Sequence, residues 1–338
     1  MYRLFMQIAC LPLLVAMGLV HAAPHHAPHR ASHHGTRAAA PQIDPRAIEA
    51  DDAPALSPGQ RGSPVVRAQI LLDRAWFSSG EIDGNYADNM RRAVAAFQAT
   101  KQLPSTGRID ANTWQALNDG APVLQTYTLT PEDVAGPFER IPRDMMQRAS
   151  LRRLGYESPL EAMAERFHVS PRVLQMLNPD KPLQPGTELI VPNLGGDQRM
   201  PKAGSVIIEK RARLLTVLDP QGHIIAAFPI SLGSPLDPLP IGKLTIRTEV
   251  RNPKFTYDPK LIRTAKPGDR KIDIAPGPNN PVGAVWMGLS KPHYGIHGTP
   301  EPSRVGYEET SGCVHLTNWD ALRLASLVSP GVVVDVRE

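Results

Sequence analysis

Cysteine is nearly absent from this 338-residue chain, which holds only Cys10 and Cys313. That excludes a disulfide framework, because two cysteines allow at most one bridge. Cys10 lies in an N-terminal segment that reads as removable, so the processed chain is expected to keep Cys313 as a single unpaired thiol. A leftover cysteine in an exported protein either pairs with another chain or does chemistry. Blocks of one charge are missing too: the formal net charge is +4, and no Lys/Arg run resembles a nucleic-acid-binding arm. Beyond the N-terminus no apolar run is long enough to cross a bilayer. There is also no His-Glu-x-x-His element to pair a metal with a general base.

Proline is plentiful instead, at 35 residues, which points to linkers and turn-rich β structure over a helical bundle. Near the start, Arg3 gives a small positive region, and Leu4 to Val20 is almost uniformly apolar but interrupted by Pro12. Val20-His21-Ala22 then places compact residues where a signal peptidase reads. Residues 1–22 are therefore expected to be a secretory signal peptide, and the protein to reside in the periplasm or cell envelope. Lipidation of Cys10 is disfavoured, since that residue sits inside the apolar run and Gln7 occupies a position that should be apolar. Residues 23–56, rich in Ala, Pro and His, hold few large apolar side chains to offset chain entropy and are expected to form a disordered linker. Six histidines between His21 and His34 lack a Cys or carboxylate to fix a metal geometry, which favours a tether.

Residues 57–119 combine helical apolar spacing with tight turns. Val65, Val66, Gln69, Ile70 and Leu72 recur at helical intervals after Pro64, and Met90, Ala93, Val94 and Phe97 line one face of a second helix. Thr113-Trp114-Gln115-Ala116-Leu117 opens a third. The turns at Gly80 and Gly107 share a Gly-x-Ile-Asp pattern, which hints at an internal duplication. Gln69 with Leu72, Asp83-Gly84, Ala93-Val94, Phe97-Gln98, and Asp110 with Thr113-Trp114 resemble the three-helix peptidoglycan-binding domain often attached to wall enzymes. The resemblance implies wall binding, although these residues are mainly core and turn positions.

Residues 125–195 read as two short helices and a strand. Leu160, Met163, Ala164 and Phe167 fall at i, i+3, i+4 and i+7; Ser170 caps a second helix with Pro171 in its first turn; Pro185-Gly186 turns into Leu189-Ile190-Val191-Pro192. This order resembles a LysM module, a small α+β fold that binds N-acetylglucosamine-containing glycans. The start departs from that family, with Tyr156-Glu157-Ser158-Pro159 in place of a glycine-aspartate turn.

Residues 203–338 carry closely spaced apolar runs at Val206–Glu209, Leu214–Leu218, Ile224–Ile230, Lys243–Val250, Val282–Met287 and Val332–Val336, the pattern of a mainly-β domain. One helix is expected from about Asn318 to Val328, capped by Thr317 or Asn318 and closed by Pro330-Gly331. Asp219 to Gly222, Ser231-Leu232-Gly233, Pro240-Ile241-Gly242, Ile296-His297-Gly298-Thr299 and Ser311-Gly312-Cys313 together resemble the L,D-transpeptidase catalytic domain, the YkuD-type fold. The resemblance implies that Cys313 is the nucleophile and His297 its base. Gly312 would contribute an oxyanion donor and the Gly298 carbonyl would hold the His297 tautomer, while Tyr294, Ser311 and His315 would bind substrate. His315 departs from the family, which usually has Arg, sometimes Asn, two residues after the cysteine. A small group titrating near neutrality replaces a permanent cation that grips carboxylates bidentately.

Physical chemistry supports the pairing. A thiolate is the nucleophile, an imidazole can take its proton, and flanking glycines let the backbone approach a substrate closely. The competing zinc reading uses His293, His297, Cys313 and His315. It needs a helix for the His293-x3-His297 spacing, and Pro292, Gly295 and Gly298 forbid one. No metal or cofactor is expected. The chain thus reads as a multidomain L,D-transpeptidase that forms a thioester on peptidoglycan stem tetrapeptides. It would then cross-link stems or attach a wall-anchored protein. An L,D-carboxypeptidase using the same Cys-His pair, and a non-catalytic wall-binding protein, are the alternatives.

Overall fold

The computed structural model describes residues 43–338 except 52, 197–199 and 264. The expected signal peptide, Cys10 and the histidine tract lie outside the described residues. The linker reading of 23–56 needs correction at its C-terminal end. Pro45–Glu49 forms a short helix, α1, capped by the Asp44 side chain, and Ile43, Ile48 and Leu56 are buried. These apolar residues are few, but they enter a neighbouring core. The Ile48 carbonyl accepts from Arg67 at 2.8 Å, and the Glu49 carboxylate accepts the Val123 and Leu124 amides at 3.1 and 2.6 Å.

Three helices follow: α2 (Ser63–Arg74), α3 (Asp88–Thr100) and α4 (Ala111–Leu117). Pro64 occupies the first turn of α2, where its missing N–H costs nothing. The two similar turns are gripped in the same way. Gln69 of α2 accepts the Gly84 amide at 2.8 Å, and Gln98 of α3 accepts the Gly107 amide at 3.0 Å. Gly107 has φ +63°, and a Cβ there would lie 2.9 Å from the Arg91 carbonyl, so the turn requires glycine.

The middle segment runs as strand, helix, helix, strand, with an insertion after the first strand. β1 (Leu124–Thr128) pairs antiparallel with β2 (Glu188–Pro192). Between them lie α5 (Met145–Arg148), α6 (Pro159–Arg166) and α7 (Pro171–Leu177). Ser158 and Ser170 cap α6 and α7, each accepting the amide three residues on. This segment shares one hydrophobic core with α1–α4.

The C-terminal part is built on an eight-stranded sheet. Its strands are β3 (Ser205–Glu209), β4 (Leu214–Leu218), β5 (Ile224–Pro229), β7 (Gly242–Arg251), β10 (Val285–Leu289), β11 (Gly295–His297), β13 (Val314–His315) and β14 (Val333–Arg337), in the order β13-β11-β10-β7-β14-β3-β4-β5. Short pairs formed by β6 (Leu232–Gly233) with β12 (Glu309–Thr310), and β8 (Phe255–Tyr257) with β9 (Ile272–Ile274), flank it. Helix α8 (Asn318–Leu327), capped by Thr317, buries Ala321, Leu324 and Leu327 in a core with Met287, Ile296 and Val314. Each such fully buried aliphatic contributes roughly 1.5–3 kcal/mol. The helical module of α2–α4 docks on the sheet edge, where Phe77 bridges Ala227 of β5 and Ser78 donates its amide to the Ala227 carbonyl.

Candidate active site

Strand periodicity creates the site. β11 and β13 pair in parallel with Ile296 opposite Val314 and His297 opposite His315. Ile296 and Val314 are fully buried in the core. Side chains alternate, so His297 and His315 point to the opposite face, and Cys313, one residue before Val314, points there as well. The cysteine sits diagonal to His297 across neighbouring parallel strands, and among the described residues its sulfur makes no hydrogen bond to the His297 ring. Its direct cross-strand neighbour is Gly295, and the Trp286 indole fills the space a side chain there would take, since a Cβ would fall 2.4 Å from the ring. On the far side of β13, Ser231 and His315 exchange backbone hydrogen bonds at 3.0 Å each, which pins the strand.

The imidazole of His297 is held on three sides. Nδ1 donates to the Gly298 carbonyl at 2.7 Å, which leaves Nε2 with its lone pair. Trp286 stacks on the ring at 5.2 Å and 20°, and the His315 ring lies 4.4 Å away. Burial and the neighbouring His315 hold the His297 pKa well below its ordinary value, against the Gly298 hydrogen bond that raises it. The imidazole is therefore neutral at neutral pH.

The thiol is also neutral. Burial pushes the Cys313 pKa up to about 11, and a hydrogen bond from the Gly295 amide only partly offsets this. Sγ reaches the His293 carbonyl at 3.7 Å. Gly312, with φ +109°, makes the turn into the cysteine, and its Cα side faces the Tyr294 ring. Among the described residues, neither the Gly312 nor the Cys313 amide donates to a turn, loop or cap acceptor.

His315 Nδ1 donates to the Glu308 carboxylate at 3.3 Å, and Glu308 also pairs with Arg304 at 3.3 Å. Tyr294 donates its hydroxyl to the Pro238 carbonyl at 3.1 Å and so ties the 234–241 loop to the site. Arg263 grips Asp237 of that loop at 3.0 Å. Leu236 and Ile241 are exposed on it, giving the cleft an apolar rim. Ser311 lies exposed in the turn between β12 and β13.

The sequence-selected residues Cys313, His297 and His315 thus share one face, with Gly298, Gly312 and Tyr294 around them. Three further residues were not singled out from sequence: Trp286, Glu308 and Asn318. Asn318 accepts the Ala284 amide at 2.8 Å, and a Cβ on Gly298 would fall 2.1 Å from its Oδ1. It therefore backs the carbonyl that orients His297. Alternation of Trp286 between buried Val285 and Met287 was a legible hint of a side chain on the open face; nothing local marked the other two. No group of three metal-ligating side chains converges among the described residues.

Comparison with known proteins places two regions of the chain in families. Residues 203–336 match the family model "L,D-transpeptidase catalytic domain", and residues 61–117 match "Putative peptidoglycan binding domain". The "Putative L,D-transpeptidase YkuD" of Bacillus licheniformis is 29% identical over 180 residues, covering 52% of this chain and 92% of the relative. The "Putative L,D-transpeptidase in ATP synthase subunits region ORF 5" of Fuscovulum blasticum is 31% identical over 131 residues, covering 39% and 68%. The solved L,D-transpeptidase (residues 123–326) of Xylanimonas cellulosilytica overlaps 84% of this chain and 98% of its own at 15% identity, with a TM-score of 0.37, and carries no part of the assignment. The chain belongs to the L,D-transpeptidase family with a YkuD-type catalytic domain, and it carries a peptidoglycan-binding domain as well.

Proposed function

We propose that this protein is an exported cysteine L,D-transpeptidase that works on peptidoglycan stem tetrapeptides. The observation that carries the proposal is the His297 Nδ1 to Gly298 hydrogen bond of 2.7 Å, which turns a lone-pair-bearing Nε2 toward the face that also holds Cys313. Because both groups are neutral, the proton moves from Sγ to Nε2 as the C–S bond forms on the carbonyl of the third stem residue. The same proton then passes to the departing nitrogen of D-alanine as the C–N bond breaks. An amine from a neighbouring stem or a wall-anchored protein attacks the thioester, the C–S bond breaks, and the thiol is regenerated. The Gly312 and Cys313 amides receive the developing oxyanion, each such donor being worth about 2.7–4 kcal/mol in related acyl transfers.

In the same reading, residues 1–22 direct export and the protein acts in the cell envelope. Residues 57–119 hold it on the wall, and the strand-helix-helix-strand segment 125–195 serves as a LysM-like glycan contact beside the catalytic domain of 203–338. The test is intact-mass detection of an adduct on Cys313 after exposure to a tetrapeptide donor, followed by muropeptide analysis of treated sacculi. Cross-linked dimers are expected. Trimmed monomers would assign the thioester to water, and unchanged products after Cys313→Ala would leave a wall-binding protein.

A further inference from the structure

Away from Cys313, all three modules combine to line an open cavity of about 800 Å³. Glu81 comes from the first module, Arg143, Arg148 and Glu165 from the middle segment, and Arg304 and Trp319 from the catalytic domain. None of the residues on the Cys313 face lines it, so it is a separate site. Its volume falls within the range of about 300–1,000 Å³ typical of ligand pockets.

The cavity's charged groups are only partly satisfied from within. Arg304 is committed to Glu301 at 2.6 Å and Glu308 at 3.3 Å. Arg148 spends Nε on the Pro142 carbonyl at 2.6 Å, which leaves its terminal nitrogens free. Arg143 and Glu81 have no hydrogen bond or ion pair among the described residues. Glu165 accepts from Asn318 at 2.7 Å through one oxygen. Trp319 is 5% exposed, and its Nε1 has no partner among the described residues. Burial raises both Glu81 and Glu165 to about 7, as expected for carboxyls that lack a counter-cation. Unspent guanidiniums and under-coordinated carboxyls therefore line one space, with Trp319 beside them.

We infer that this cavity binds a zwitterionic peptide segment, with a carboxylate on Arg143 and Arg148 and an amine on Glu81 and Glu165. The class that fits is a wall stem peptide carrying both a free amine and a free carboxylate, held apart from the strand being acylated. The inference rests on the wall-enzyme reading above but concerns a site that reading does not use. The cavity also touches the catalytic face indirectly: Arg304 pairs with Glu308, which holds His315.

The test uses the full chain with Cys313 blocked by a bulky maleimide, so that the catalytic face is filled. A soluble disaccharide-tetrapeptide with a free side-chain amine is titrated by calorimetry. Binding should persist after blocking. It should weaken by at least about tenfold in Glu81→Gln and in Arg143→Gln, and equally for a probe whose amine is acetylated. Glu81→Gln is isosteric and Arg143 is exposed, so neither variant disturbs folding. No binding to the blocked protein, or unchanged affinity in both variants, overturns the inference. Acylation of Cys313 in the unblocked chain is scored separately: adduct without cavity binding defeats only this inference, and cavity binding without adduct defeats only the catalytic proposal.

Discussion

The neutral thiol makes a quantitative prediction. With the Cys313 pKa at about 11 and an ordinary thiol at 9.0, the thiolate fraction at pH 7 falls by about a hundredfold, to about one in ten thousand. Iodoacetamide reports this directly, because alkylation follows the thiolate and needs no proton donor. The rate on Cys313 should climb about tenfold per pH unit from 7 to 10 and level off only near 11. His297 enters with the opposite sign. Its pKa lies well below the ordinary 6.5, so it stays unprotonated through neutrality and supplies no cation to stabilise a thiolate.

His297→Ala should therefore leave the alkylation profile nearly unchanged while slowing acyl transfer by about 10²–10⁴-fold, the usual contribution of a general base. Stopped-flow alkylation across pH, paired with single-turnover acylation by a tetrapeptide donor, measures both. A plateau in alkylation between pH 6 and 8 that vanishes in His297→Ala would refute the reasoning. It would mean that a preformed thiolate–imidazolium pair exists despite the burial.

Four other substitutions probe the surroundings. His315→Arg should keep Cys313 labelling within about twofold, since a guanidinium can use the same Glu308 carboxylate; loss of labelling by a thiol reagent would contradict this. Gly298→Ala places a methyl 2.1 Å from Asn318 Oδ1 and should cost about 1–3 kcal/mol in urea titrations while also lowering acylation. Asp73→Asn removes the buried anion that partly buried Arg323 and His168 meet at 2.9 and 3.1 Å and should cost about 3–5 kcal/mol at pH 7. Asp73 titrates at about 2 in the fold, below its unfolded value, so its contribution is present above about pH 4 and is lost as pH falls toward 2; the variant should flatten that acid limb. Asp320→Asn should do the reverse. Burial raises Asp320 to about 7, so ionisation in the unfolded chain erodes stability as pH rises from about 4 to 7, and the variant's melting advantage over wild type should grow across that range and be largest at pH 8.

What could be read from sequence was local. Thr317 and Ser170 cap helices because their hydroxyls reach amides three residues on, and such signals lie within a few positions of each other. The Cys313 and His297 stretches were legible because glycines and the family pattern surround both. The last part of 23–56 was misread because composition counts apolar residues without knowing their partners: Ile43, Ile48 and Leu56 are few but all buried against α2 and its neighbours. Glu308 and Asn318 escaped notice for a similar reason. Their roles depend on His315 and Gly298, and only the folded sheet places them there.

The same limit hid how the modules meet. From sequence, accessory wall-binding modules raise local substrate concentration through a flexible tether. The fold places Asp73 of α2, His168 after α6 and Arg323 of α8 in one buried cluster, although they stand 95 and 250 positions from the aspartate. Ser78 donates to Asp320 at 2.8 Å, Asn89 donates to the Val305 carbonyl at 2.8 Å, and a Cβ on Gly306 would strike Asn89 at 2.1 Å. Removing one partner from such a cluster strands a buried charge, so the modules resist separation far more than a linker would. Docking of this kind fixes the orientation of the first module against the loop that follows His297. In the proposed function, a wall strand held there would be presented at one angle to the Cys313 face, and orientation would join concentration in setting the rate of acylation.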